Sequence, residues 1–459
     1  MKNFRLVSIA ASFLLFVFLC GTFAVCQEPR ITPAVKSQPT PAVSVANFDK
    51  DNPPLFDEEK IPKYVLPDAL KMQDGRKVTT PEQWTKERRP ELLKLFEEHM
   101  HGKATLFRTG NTAFKTRFEY LSSKPVYDGK GIQHQFQIVW YRGNDEHRVA
   151  VLAYVPKTDK KVAAFIGLNF MGNHTVDTDP DIRIPLVWDR SRGAKHGTSA
   201  PGKETDRGLQ ASRWPVPLFL ERGYALVTAY YCDIEPDFDG GYLHGVRRFL
   251  YKEGEKQKPD EANTIATWAW GLSEMLDAVE HFQDKLGIDP KKTIVNGHSR
   301  LGKTSLWAGA IDQRFAMVIS NNSGSGGAAL ARREWGETTH KTNAYNLHWF
   351  CDNFKKYDKD IQSLPFDMHE LIALSAPRPV YVASATEDTW ADPKGEFVSA
   401  FHADPVYRLL GTDGIGGVTE MPQPDQSVGG IIRYHVRTGK HDITEFDWKN
   451  YFDAADKYL

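Results

Sequence analysis

Cysteine is scarce in this chain. Of four cysteines in 459 residues, Cys20 and Cys26 fall near the N-terminus, which leaves Cys232 and Cys351 for a folded region. So few exclude a disulfide framework as the basis of the fold, and no spacing among them matches a metal site. Export would permit one bridge between Cys232 and Cys351; two buried free thiols fit equally well. A charge excess is also missing: 58 Lys and Arg stand against 59 Asp and Glu, a net charge of −1. No global field is available to attract nucleic acid or an anionic membrane. Internal repeats are absent, which argues against a repeat architecture. The apolar run Leu6–Cys20 is short for a membrane span, and a polar, Pro-rich segment follows it.

That run has another reading. Lys2 and Arg5 precede it and Thr22-Phe23-Ala24 follows it, so residues 1–26 read as a cleaved secretory signal. Phe23-Ala24-Val25 before Cys26 fits a lipobox poorly, which favours a soluble secreted or periplasmic protein over a lipid-anchored one. Residues 27–54 read as a Pro-rich linker, and 55–459 as a catalytic domain. Apolar residues at 41% and charged residues at 25% are ordinary for a globular protein. The 11 tryptophans suit sugar or lignin-like ligands, and equally a large aromatic core.

Thr80 followed by Pro81 predicts a capped helix to about His99. Strand-like stretches follow at Thr116–Leu121, Gln133–Arg142 and His147–Val155, the last two joined by a hairpin signal at Gly143-Asn-Asp-Glu146. Short apolar runs come next, at Val162–Leu168, Tyr224–Ala229, Thr293–Asn296, Ala316–Ser320 and Val380–Ala385. Their continuous hydrophobicity is that of parallel strands covered on both faces. Helical segments separate them, the clearest from about Asp260 to Leu286. The pattern predicts an α/β class protein: a three-layer sandwich of the α/β-hydrolase type, with a mostly parallel sheet and an N-terminal antiparallel hairpin. The polar stretch Asn169–Trp214 is long for a loop, and it follows the strand after which such hydrolases place an oxyanion-hole donor.

The run Thr293–Ala310 carries the chemistry. A β-branched strand leads into Gly297-His298-Ser299 and a helix-forming segment follows at once, the layout of a nucleophile elbow. Gly297 answers a close approach of strand and helix. The usual last glycine of the motif is displaced, with Leu301 in its place and Gly302 one residue later. The competing reading is a helix N-cap serine. A serine nucleophile needs a base and an acid in the chain order Ser, Asp or Glu, His. Strand Val380–Ala385 ends in Thr386-Glu387-Asp388, and Gly439-Lys440-His441 follows a strand-like run at Ile431–Val436. His441 is the candidate base. Asp388 and Glu387 compete as the acid, and Asp388 is preferred for its reach beyond the strand end.

Gly297–Ala310, Ser323-Gly-Ser-Gly-Gly327, Trp335-Gly-Glu337, His348-Trp-Phe350, Glu387-Asp-Thr-Trp390 and Gly439-Lys-His441 together resemble a bacterial glucuronoyl esterase of carbohydrate esterase family fifteen. The resemblance spans most of the chain after about residue 60. It implies an α/β-hydrolase that cleaves the ester between a glucuronic acid branch of xylan and a lignin alcohol, with no metal or cofactor. Carried over residue by residue, it implies Ser299 as nucleophile, His441 as base, Asp388 as acid, and Arg300 as the cation beside the oxyanion. It also implies that Lys303 and Glu337 bind the uronate ring and that Trp390 stacks on it. Many fungal members carry the acid as a glutamate where this chain has Asn321-Asn322, which cannot ionise. A monomer is expected. The alternatives are another carbohydrate esterase, acting on acetyl or feruloyl groups, and a polysaccharide-binding homologue without catalysis.

Overall fold

The computed structural model describes Met1 and residues 53–103, 113–189, 197–251, 255 and 257–459. The expected signal peptide and nearly all of the expected linker lie outside the described residues. The chain forms β1 (Lys115–Val126), β2 (Gly131–Arg142), β3 (Asp145–Pro156), β4 (Val162–Asn169), β5 (Leu186–Trp188), β6 (Ser199–Pro201), β7 (Ala225–Tyr230), β8 (Ile288–His298), β9 (Met317–Asn321), β10 (Val380–Ala385), β11 (Ser427–Gly429) and β12 (Ile432–Arg437). Ten of these make one sheet, in the order β1-β2-β3-β7-β4-β8-β9-β10-β12-β11.

The six strands from β7 to β12 by way of β4, β8, β9 and β10 pair in parallel. The N-terminal hairpin is present: Arg142 lies opposite Asp145 across a turn in which Gly143 has φ of 61°. A third antiparallel strand, β1, joins its outer edge. The pleat divides the core between two layers. Ala164, Ile166 and Leu168 of β4 pack into one apolar cluster, whereas Phe165 between them packs into the other. β7 and β10 alternate in the same way, with Val227 and Val382 on one face and Leu226 and Tyr381 on the other. Helices Thr264–His281 and Arg300–Ile311 cover the first face; the C-terminal helix Glu445–Tyr458 covers the second with Trp448, Tyr451 and Phe452. This is the α/β-hydrolase sandwich.

Thr80 caps its helix through a reciprocal capping box with Gln83, with Pro81 at the first turn. The long helix expected over Asp260–Leu286 is shorter: it runs from Thr264 to His281 and breaks at Phe282. Phe282 leaves the helix to pack its ring against Phe118, Tyr120 and Phe136 of β1 and β2. One more turn, Gln283–Leu286, ends on Gly287 with φ of 69°. The stretch from Asn169 to Trp214 is not a bare loop, because β5 and β6 pair within it as a small ribbon.

Candidate active site

Ser299 sits at the junction of β8 and the Arg300–Ile311 helix with φ of 59° and ψ of −129°. A non-glycine residue in that region is strained, and such strain collects where the surroundings overdetermine a functional side chain. Gly297 makes the turn possible: a Cβ there would lie 1.8 Å from the Leu301 carbonyl oxygen. Gly302 is similarly hemmed in, with its Cβ position 3.0 Å from that of Ser323. The Ser299 side chain makes no capping hydrogen bond, so the N-cap reading does not hold.

His441 Nδ1 lies 2.6 Å from Asp388 Oδ2. The Asp388 carboxylate is buried, and His441 is about one-third exposed (34%). Because a carboxylate accepts, the proton is on Nδ1 and Nε2 is left as a base. The loop that carries His441 is stitched in place from both sides. Glu387 N–H donates to the Gly439 carbonyl at 2.9 Å, and Arg437 donates to the Lys440 and Asp442 carbonyls at 2.6 and 2.7 Å. Glu387 therefore contributes its backbone here, and Asp388 is the carboxylate on the histidine. The His441 ring lies 4.5 Å from the ring of His298, the residue before Ser299. Burial first, then the neighbouring His441, pushes His298 well below the usual histidine range. Neutral His298 donates from Nδ1 to Asn321 Oδ1 at 2.6 Å, since the Asn321 amide nitrogen is turned to Asp447 and Tyr451.

Arg300 pairs with the buried carboxylate of Asp237. Its guanidinium stacks over Trp349 at 4.8 Å and lies 5.9 Å from the Phe170 ring. Asp237 also accepts from Tyr231 OH at 2.8 Å, His348 Nε2 at 2.8 Å and Trp349 Nε1 at 2.9 Å. Arg300 is thus an ion-paired cation, held beside the elbow by Asp237. Lys303 is no solvated helix lysine. Its Nζ is buried and donates to the Ser323 and Ser325 carbonyls at 2.6 and 2.5 Å, and it lies 3.1 Å from Glu337 Oε2. All three ammonium protons have acceptors here, so Lys303 positions Glu337 and the serine loop as directly as it could reach a sugar. Glu337 N–H donates to the Trp390 carbonyl at 3.0 Å, and Trp390 is half-buried. The uronate-clamp candidates therefore lie next to one another.

Beneath them Glu396 is fully buried. It accepts from the N–H groups of Ser323 and Gly324 at 2.8 and 2.9 Å, and from Ser384 Oγ at 2.6 Å. Burial raises its carboxyl to about 8. Sequence reasoning missed Asp237, Glu396 and the hydrogen bond that the Asn322 side-chain amide donates to Asp388. One signal was available for Asp237: the acidic run Asp233–Asp239 follows the carboxyl end of a parallel strand, where ligands of such sheets bind. Asn169–Thr175 reaches the elbow through Phe170, 6.2 Å from His298, while Asn169 holds the loop through Asn173 and Thr228. Among the described residues no group of three or more His, Cys, Asp or Glu could hold a metal ion, and no helix is long and apolar enough to cross a membrane. Cys232 and Cys351 are buried and neither is in a disulfide.

Fold and site together define an α/β-hydrolase with a serine, histidine and aspartate on adjoining loops. The family model for fungal glucuronyl esterase matches residues 250–411. Carbohydrate esterase MZ0003, from an unknown prokaryotic organism, is 44% identical over 406 residues, 88% of this chain and 92% of its own length. A promiscuous CE15 esterase from a marine bacterial metagenome superposes with a TM-score of 0.80 at 43% identity, covering 88% of this chain and 100% of that one. The glucuronoyl esterase from Solibacter usitatus gives a TM-score of 0.81 at 40% identity, covering 87% and 100%. The chain belongs to carbohydrate esterase family 15, the glucuronoyl esterases, and is a carboxylic ester hydrolase.

Proposed function

We propose that this chain, as a secreted or periplasmic monomer, hydrolyses the ester between glucuronic acid side chains of xylan, with or without a 4-O-methyl group, and lignin alcohols. The observation that carries this reading is the pair of buried Lys303 and half-buried Glu337, 3.1 Å apart, on the same helix turn and loop cluster as Ser299. An esterase for acetyl groups has no need of a carboxylate presented for sugar hydroxyls. The names of the related glucuronoyl esterases support the same substrate class.

In the first step Ser299 Oγ attacks the uronate carbonyl carbon while His441 Nε2 takes its proton. Asp388 holds Nδ1–H and stabilises the imidazolium. The tetrahedral oxyanion forms beside Arg300, whose charge is oriented in advance by Asp237. Collapse releases the alcohol with the proton from His441 and leaves a glucuronoyl ester on Ser299. Water, deprotonated by His441, then attacks that ester and frees the acid. Hydrolysis of benzyl glucuronate and 4-nitrophenyl acetate by wild type and Ser299→Ala tests the reading. Glucuronate cleavage abolished in the variant supports it; cleavage of the acetate alone removes the uronate assignment.

A further inference from the structure

A cavity of about 300 Å³ lies apart from the serine, walled by His147, Arg148, Arg183, Trp188, Asp233 and His244 among others. We propose that it is a second carbohydrate subsite, which takes a neutral pyranose ring of the polysaccharide that carries the glucuronoyl ester. The proposal rests on the reading of the chain as a uronate esterase acting on a polymer.

Its place in the fold fits. β3 runs antiparallel to β7, with Val151 opposite Ala229, so the N-terminal part of β3 stands at the sheet edge where the parallel strands end. Ser299 follows β8 at that same edge. From β8 to β3 is a walk across β4 and β7, about 14 Å at roughly 4.8 Å per strand. That is a distance of a few sugar rings. The two places also share a wall: Tyr231 holds Asp237, which pairs with Arg300, whereas Cys232 and Asp233 line the cavity.

Its chemistry fits a sugar. The Trp188 and His244 rings meet at 4.9 Å and form an aromatic side, which suits the apolar face of a pyranose. Asp233 and Arg183 supply an acceptor and a set of donors for the hydroxyl rim. Arg183 makes no side-chain ion pair with the described residues, whereas Arg148 is already held by Glu119 and Glu146. Burial raises the Asp233 carboxyl to about 7, against the pull of Arg183 and an Ala150 hydrogen bond. A half-buried carboxyl that lines the cavity gains from hydroxyl donors. An aromatic alcohol would cover the same groups and satisfy neither, which costs binding.

The test compares Trp188→Ala and Arg183→Ala with wild type on two esters, benzyl glucuronate and a glucuronoyl ester carried on a xylo-oligosaccharide. The expected result is a KM for the oligosaccharide ester at least fivefold higher, with benzyl glucuronate unchanged. Parallel changes on both esters, or none on either, would overturn the subsite. Calorimetric titration of Ser299→Ala with an unesterified xylo-oligosaccharide gives a readout that needs no turnover. Binding should be present and should vanish when Trp188→Ala is added, with Trp188→Leu serving if the alanine variant does not fold. Saturable binding of a phenylpropanoid alcohol in place of the oligosaccharide overturns the sugar assignment. If wild type cleaves no glucuronate ester yet binds the oligosaccharide, the reaction reading fails and the subsite stands.

Discussion

Asn322 donates its side-chain amide to Asp388 Oδ2 at 2.8 Å, the same oxygen that receives His441 at 2.6 Å. Asn322, which stands where the resemblance places the fungal glutamate, therefore braces the carboxylate that holds His441. Asn322 adopts φ of 47°, and its amide oxygen is buried without a partner among the described residues.

From this pairing Asp388→Ala should lower kcat on benzyl glucuronate by about 10²–10⁴, since the histidine loses both its tautomer and its imidazolium partner. Asn322→Ala removes one hydrogen bond and should cost about tenfold, the equivalent of ~1.4 kcal/mol. Steady-state rates of the two variants decide it. Equal losses would mean that the acid role is shared or lies elsewhere.

Lys303 and Glu337 separate specificity from folding. Lys303→Met leaves two carbonyls and a carboxylate facing a methyl group, and loss of one partner of a buried pair costs about 3–5 kcal/mol. Its melting temperature should fall sharply. Glu337→Gln keeps the shape but loses the charge offered to sugar hydroxyls. It should reduce kcat/KM on benzyl glucuronate by about tenfold or more while 4-nitrophenyl acetate hydrolysis changes little. A matching loss on the acetate would move Glu337 from substrate binding to general support of the site.

Asp237 accepts four donors, Arg300 among them. Asp237→Asn should let Arg300 swing from the elbow, and loss of one oxyanion stabiliser typically costs about 10²–10³ in kcat. The signature of this positioning role is a fall in kcat with KM nearly constant. A rise in KM alone would assign Asp237 to substrate binding.

How much of this was legible in the sequence follows from the range of the forces involved. Gly297, Ser299 and the strand before them are a local turn problem, and local backbone sterics can be read from residue types. The alternation of Ala164, Phe165 and Ile166 between two cores is hidden, because strands buried on both faces lose their period-two pattern. The spacing of Phe282 is helical, and only packing against β1 and β2 takes it out of the helix. Asp237 and Glu396 are contacts across long sequence separations, and a lone carboxylate carries no sign of its partners. Lys303 is the sharpest case. Its position one turn after Ser299 could be read from the sequence, but the two carbonyls that occupy its protons come from a loop more than a strand away.

The acid limit of stability offers a test that does not depend on the reaction. His101 is fully buried, stacked on Trp307 at 4.1 Å and 10°, and neither of its ring nitrogens has a hydrogen-bond partner among the described residues. Burial alone pushes it down from 6.5 to about 3. In the unfolded chain it takes up a proton below 6.5, whereas the folded chain binds it only near 3. Between those values the unfolded state holds more protons, so stability falls as pH falls, by at most about 1.4 kcal/mol per pH unit for this one group. Above 6.5 both states are neutral and the contribution is complete. His134 and His147, each lowered to about 4, act in the same direction. His101→Phe keeps an aromatic ring over Trp307 and removes the titration. Its melting temperature should track that of wild type at pH 8 and exceed it by a growing margin from pH 6 to pH 4. Parallel melting curves for the two proteins across that range would mean that the folded state hydrates or protonates His101 without cost.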